Sequence, residues 1–477
     1  MRRRFHVMVF LLLLAALQAC TTSSPIPDLP ATLGGKGLLV ARLYVPGSSA
    51  WNNARINIDG KLYGSNLRDG YVAIALDPGE HNFVQLRVEG QRLSNYEPQD
   101  PALRKVRGGG APTYYYVPGG TTTIYYTTLS VGRRFTIEAD QITNLGLIVY
   151  LSADDPTKQR ATTGDSKEYR VVPLDNSAEI SYYLETNYPA LMATLKERSP
   201  KLAPGSYLDS KRLPELRRFI AIQESRGAKF IKNETASALY GDAGTLAVSR
   251  TGADGKRTVE VLDTGTLANI VDARRDGERM IFLTSDAKLL TLENGRLAQT
   301  SVPYRIHPVR LSSLGNDSVA IVDNRMSILI SQDRGKTWSK YDGAMIEKPR
   351  NDIGLVADGQ GAYVYLGNRG IPSSILYLRS GAATPQVINT PQYRQSVNTT
   401  SYNTVIAREA GLFIIYNERD FYFWSRKSHR WELHSKPAFK CKAIGFDASG
   451  FDLTVECDGT TYESGNSGLT WSKAGGV

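Results

Sequence analysis

The residues with the most chemical potential in this 477-residue chain sit in one short stretch, Ser331-Gln332-Asp333-Arg334-Gly335-Lys336-Thr337-Trp338. Its form is Ser-x-Asp-x-Gly-x-Thr-Trp. An aspartate two residues from a serine hydroxyl and four from a threonine hydroxyl can act as an acid, or it can accept hydrogen bonds from the backbone of a turn. A second copy at Ser464, Asn466, Gly468, Thr470 and Trp471 decides between these roles. Asn466 stands where the first copy has Asp333. An amide can still cap a turn, but it cannot serve as acid or nucleophile. The spacing therefore points to a hairpin, with Gly335 taking a positive φ and Trp338 supplying a large apolar ring. No phosphate-gripping glycine loop, no G-x-S-x-G elbow and no histidine pair at metal spacing accompanies it. No cofactor or metal is expected.

This pattern resembles the Asp box, the BNR repeat best known from sialidases, where it lies on the rim of a β-propeller away from the catalytic centre. In that family three arginines hold a carboxylate, a Tyr–Glu pair is the nucleophile and an aspartate is the acid/base. The resemblance makes Tyr304-Arg305-Ile306-His307-Pro308 the counterpart of an Arg-Ile-Pro arginine, with His307 intruding. Asp317 or Asp323 would be the acid and Tyr363 or Tyr402 the nucleophile. None of these has a distinguishing context, so no catalytic residue is assigned. Other Asp-box propellers act as assembly factors.

The elements that would carry the motif follow from a repeat. Stretches 246–262 around Gly255, 289–302 from Leu289, 328–341 with Trp338, 376–388 around Gly381, 422–434 with Trp431 and 461–474 with Trp471 each read as strand, turn, strand, their centres about 40–47 residues apart, the length of a propeller blade. Six such units fit in 228–477, with seven as the alternative count. A strand near Phe230 would complete the final blade and close the ring. Tyr363, Tyr365, Tyr402 and Tyr422 are candidates either for a binding face or for packing between blades.

Upstream, Gly37 to Ser152 alternates apolar and polar residues between turn signals such as Asp59-Gly60 and Pro78-Gly79, which predicts a β-sandwich. The order strand, IDGK, strand, LDPGEH, strand is similar to uncharacterised bacterial lipoprotein domains and more loosely to PEGA-type domains. Asp59, Glu80 and His81 read as turn chemistry. Residues 153–227 read as a linker followed by a helical connector of two short helices between Asn176 and Arg226, with Ile180, Tyr183, Leu184, Leu213, Leu216 and Ile220 at helical spacing.

The chain opens with three arginines and an apolar run from Val7 to Leu17, the layout of a secretory signal over 1–19 and too short to span a bilayer. Leu17-Gln18-Ala19-Cys20 looks like a bacterial lipobox, which implies lipidation of Cys20. Thr21 points to the outer membrane. Residues 20–36, rich in Pro and Gly, would be a tether. The formal charge of +10 falls to +7 once Arg2, Arg3 and Arg4 leave. That mild excess suits an envelope protein or an anionic polymer as partner and lacks the dense basic patch of a nucleic-acid binder. Only Cys441 and Cys457 remain after Cys20. A turn at Ala448-Ser449-Gly450 would set them opposite each other on paired strands, close enough for a disulfide in an oxidising compartment. The expectation is a mainly β, non-enzymatic, lipid-anchored scaffold.

Overall fold

The computed structural model describes residues 29–45, 54–64, 70–93, 96–98, 114–116, 122–150, 171–224, 229–233, 236–252, 254–342, 353–368, 371–393, 404–408, 411–416, 420–434, 441–443, 453–457, 459–465 and 470–474. The signal, Cys20 and Tyr402 lie outside them. The chain is mainly β with few helices and divides into two compact units, Met1–Gly227 and Ala228–Val477. No helix among the described residues is long and apolar enough to cross a membrane.

In the first unit, strands β1 (Gly37–Tyr44), β4 (Tyr71–Leu76), β9 (Ile142–Tyr150) and β10 (Val171–Leu174) form one sheet in the order β10-β9-β1-β4. Strands β2 (Ala54–Ile58), β3 (Lys61–Gly64), β5 (Gly79–Leu93) and β8 (Thr122–Ile137) form another in the order β3-β2-β5-β8, and β6 (Tyr96–Pro98) pairs with β7 (Tyr114–Tyr116). Alternate residues from both sheets, including Leu39, Ala41 and Leu43 from β1 and Ile56, Phe83 and Phe135 from the second, share one core. Asp59 and Gly60 both take positive φ, +51° and +87°, and close the β2–β3 hairpin with Ile58 opposite Lys61. That is the Asp-Gly turn whose twist matches paired strands.

The opposite face of the first sheet is covered by helices α1 (Ser177–Asn187) and α2 (Pro189–Thr194). Ile180, Tyr183, Leu184, Leu191 and Met192 bury against Leu38, Val40 and Ile142. Tyr183 stacks on Tyr71 with ring centroids 3.8 Å apart. A third helix, α3, spans Leu213–Glu224. The stretch expected as a connector is therefore built into this unit. Every residue of β1 and β9 is buried, and a sheet buried on both faces needs a second layer to cover it. The described end of the expected tether is likewise packed down: Leu33 joins the helical core and Thr194 Oγ1 donates to the Ala31 carbonyl at 3.4 Å.

The second unit consists, among the described residues, of four-stranded antiparallel sheets of propeller-like form. They span 229–261, 270–301, 308–341, 353–388, 404–434 and 441–473, and each runs in strict chain order. The first strand of each sheet touches the first strand of the next from Lys229–Lys232 through Ile270–Asp276, Pro308–Gly315 and Ile353–Ala357 to Thr404–Arg408. The cores lie between consecutive sheets. One joins Tyr240, Leu246 and Val248 of the first sheet to Met280, Phe282 and Leu290 of the second. Others join the third to the fourth, the fourth to the fifth and the fifth to the sixth. One sequence expectation is corrected. The strand bearing Phe230 pairs with Ala236–Tyr240 inside the first sheet, and the last sheet draws all four strands from its own segment. Asn233 Oδ1 accepts from the Ala236 N–H at 2.8 Å and so ties the end of strand 229–232 to the start of its neighbour.

Candidate functional site

The Asp box closes the hairpin between the third and fourth strands of the third sheet. Ser331 Oγ, buried, donates to Asp333 Oδ1 at 2.8 Å and accepts from Gly335 N–H at 2.7 Å. Asp333 Oδ1 accepts from Thr337 N–H at 2.8 Å and Oδ2 from the Thr337 hydroxyl at 2.6 Å. These donors, the Thr337 hydroxyl foremost, hold the Asp333 carboxyl down at about 2. A carboxylate so saturated with donors stays ionised and is a poor proton carrier. Trp338 Nε1 donates to the Gly335 carbonyl at 3.0 Å, pinning the ring over the turn. Gly335 has φ +83°, and a Cβ there would lie 2.9 Å from Thr300 Oγ1 and 3.0 Å from Leu289 Cδ1, both on the second sheet. The glycine thus serves the turn and the close approach of two sheets at once.

Charged groups continue this contact. Asp317, in the turn between the first two strands of the third sheet, meets Arg279 of the second sheet at 2.7 Å and Arg334 of the box at 2.9 Å. The hydrogen bond from Arg334, with Arg279 alongside, lowers the Asp317 pKa. Arg334 also reaches Glu293 of the second sheet at 3.5 Å. The fifth sheet repeats the device. Arg426, in its third hairpin, ion-pairs with Asp358, donates to Gln360 Oε1 at 2.9 Å and lies over the Tyr377 ring, all on the fourth sheet. Trp431 Nε1 donates to the Asn389 carbonyl at 2.5 Å. In the sixth sheet Ser464 is buried and Trp471 packs 5.7 Å from the Phe421 ring of the fifth. Thr470 is described, whereas Asn466 and Gly468 lie outside the described residues.

The residues of the sialidase comparison are dispersed. Arg305 is exposed in the loop before the third sheet. Asp317 and Asp323 flank one strand at opposite ends, about 20 Å apart at the usual rise. Asp323 is buried as a turn cap, accepting from Ser327 N–H at 2.8 Å and Arg325 N–H at 2.9 Å. Burial raises its carboxyl against the pull of those N–H groups. Tyr363 is wholly buried between the fourth and fifth sheets, and burial pushes its hydroxyl pKa up. Tyr422 is buried in the same core. Of the aromatic residues weighed for a binding face, these two are packing. Among the described residues no group of His, Cys, Asp and Glu is arranged to hold a metal.

Sequence reasoning missed a polar cluster on the first strands. Asp272 Oδ1 accepts from Arg274 Nη1 at 2.9 Å and from Ala273 N–H at 3.0 Å, while Oδ2 accepts from Leu311 N–H at 2.9 Å across to the third sheet. Arg310 lies one residue before Leu311. Tyr365, from the second strand of the fourth sheet, lays its phenol end where a Cβ of Gly354 would stand: the built position is 2.0 Å from Cζ. Burial raises the Tyr365 hydroxyl, and Arg310 and Arg274 are near enough to pull it partly back. The signal available in sequence was Val-Asp-Ala-Arg-Arg-Asp and Pro-Val-Arg at equivalent places in successive repeats.

In the sixth sheet the ladder sets Cys441 opposite Cys457, the register read from the sequence, although the turn at 448–450 lies outside the described residues.

No protein-family profile and no curated protein matches the chain. Solved structures do. "YCF48 bound to D1 peptide" is 17% identical, covering 52% of this chain and 80% of that one with a TM-score of 0.35. YCF48 from Cyanidioschyzon merolae is 14% identical, covering 52% and 88%, with a TM-score of 0.34. Kluyveromyces lactis Hsv2 is 10% identical, covering 43% and 72%, with a TM-score of 0.32.

Proposed function

We propose that this chain is a non-enzymatic, lipid-anchored protein of the bacterial outer membrane whose second unit holds a protein partner. In this reading Cys20 carries the lipid, the first unit is a PEGA-like β-sandwich with a helical layer, and the six sheets close into a six-bladed Asp-box propeller. Cys441 and Cys457 form a disulfide that staples the last blade.

One observation carries the reading: the residues that look most catalytic are already engaged in joining sheet to sheet. Asp333 is saturated by its own turn, and Asp317 is held between Arg279 and Arg334. A rigid ring of this kind leaves its loops and inner strands to bind, though fold alone assigns no activity. A protein partner is preferred to an anionic polymer because the second unit, with 30 Lys and Arg against 26 Asp and Glu, lacks the broad positive field that would hold diffuse negative charge. Two measurements test it. Capture of the cross-linked full-length protein from solubilised envelopes should recover one stoichiometric partner, and its Cys20→Ala form should lose incorporated alkynyl palmitate. A fluorogenic sialoside should survive wild-type protein. Turnover that disappears in Arg305→Ala would replace this function by glycoside hydrolysis.

A further inference from the structure

The cationic excess of the second unit is not spread evenly. Residues 228–477 hold 30 Lys and Arg against 26 Asp and Glu. The first strands of the six sheets hold seven of those cations, Arg274 and Arg310 among them, against two aspartates, Asp272 and Asp276. The rest of the unit is therefore close to neutral, and its net positive charge resides on the first strands of the sheets.

Both aspartates are committed. Asp276 pairs with Arg279. Asp272 spends its two oxygens on Arg274, on Ala273 N–H and on Leu311 N–H, so its charge ties two strands together and leaves Arg310 unneutralised by it. The Arg274 side chain remains 39% exposed. The Tyr365 phenol end, seated over Gly354, lies within electrostatic reach of both guanidinium groups. Two guanidinium groups on adjoining first strands, one of them partly exposed, suit a ligand that presents closely spaced carboxylates.

We propose that Arg274 and Arg310 anchor the carboxylates of an acidic peptide segment. This rests on the scaffold reading above and names the chemistry of its partner. Guanidinium forks match carboxylates in a plane, which favours arginine over lysine at such an anchor. A peptide supplies carboxylates at the short spacing of neighbouring strands, whereas an anionic polysaccharide would need only diffuse charge.

The test uses the full-length protein in detergent and three fluorescent probes: a short peptide rich in Glu, the same peptide with Gln for Glu, and a hyaluronate oligosaccharide. Wild-type protein should bind the Glu peptide, and affinity should fall as sodium chloride is raised. Arg310→Gln, which leaves the Asp272–Arg274 pair in place, should weaken it by about tenfold or more, the usual loss for a charged hydrogen bond. Arg274→Gln should do the same, while Arg257→Gln on an outer strand should not. Equal binding of the Gln peptide, preference for hyaluronate, or unchanged affinity in Arg310→Gln overturns the proposal. If both arginine variants still capture the envelope partner at wild-type yield, this inference fails and the scaffold reading stands. If wild-type protein binds no probe and captures nothing, both fail.

Discussion

Replacing Gly335 by alanine isolates what the Asp box does. Gly335 and Gly381 occupy the same hairpin in the third and fourth sheets, and both have positive φ, +83° and +79°. An alanine at either site suffers the left-handed penalty of about 1–2 kcal/mol. Only at Gly335 does the new methyl meet another sheet, at 2.9 Å from Thr300 Oγ1 and 3.0 Å from Leu289 Cδ1, while Gly381 has nothing within 4 Å. Forcing a methyl into such a contact costs about 1–3 kcal/mol more. For a unit of this size that is a further drop in melting temperature of about 4–8 °C for the middle of the range. Tryptophan fluorescence is a suitable reporter, because four of the five tryptophans, all but Trp51, lie in the second unit. Gly335→Ala should therefore melt distinctly below Gly381→Ala. Equal melting temperatures would mean that the box shapes only its own turn, and the argument that it mortars one sheet to the next would fail.

Asp333 makes its contribution above the ordinary carboxylate value of 3.8 and loses it as pH falls toward about 2; wild type and Asp333→Asn should therefore converge in stability between about pH 4 and pH 2, measured by acid titration of fluorescence. His81 behaves in the opposite sense. Burial disfavours its charged ring, but hydrogen bonds to the Asp77 carbonyl at 2.8 Å and to Asp59 at 2.6 Å prevail and raise its pKa above 6.5. That stability is complete below the unfolded value and disappears as pH rises through the folded one, so the advantage of wild type over His81→Gln in urea should be larger at pH 5.5 than at pH 8.5. A Cys441–Cys457 bridge closes a short loop worth about 3 kcal/mol in the chain-entropy model, so dithiothreitol should lower the melting temperature and open two alkylation sites by mass.

The sequence alone was enough for what depends on local order. Asp59-Gly60 dictates a hairpin because both positions need positive φ, and Ser331 to Trp338 dictates its turn because every donor and acceptor lies within a few residues. The repeat near Gly255, Leu289, Trp338, Gly381, Trp431 and Trp471 marks the hairpins of successive sheets for the same reason, and the Cys441–Cys457 pairing is the one a turn at Ala448-Ser449-Gly450 would set. Tertiary structure decided the rest. Periodicity gave α1 an apolar face without saying that the outer side of β1 and β9 would cover it. Nothing local tells Phe230 to pair with the strand after it instead of the last strand of the chain. The Asp272–Arg274–Arg310 cluster joins residues nearly forty positions apart, and Tyr365 reaches it only because Gly354 lacks a side chain. Such contacts form between sheets, where the partner of a residue is set by which sheet lies next to it and not by its neighbours in the chain.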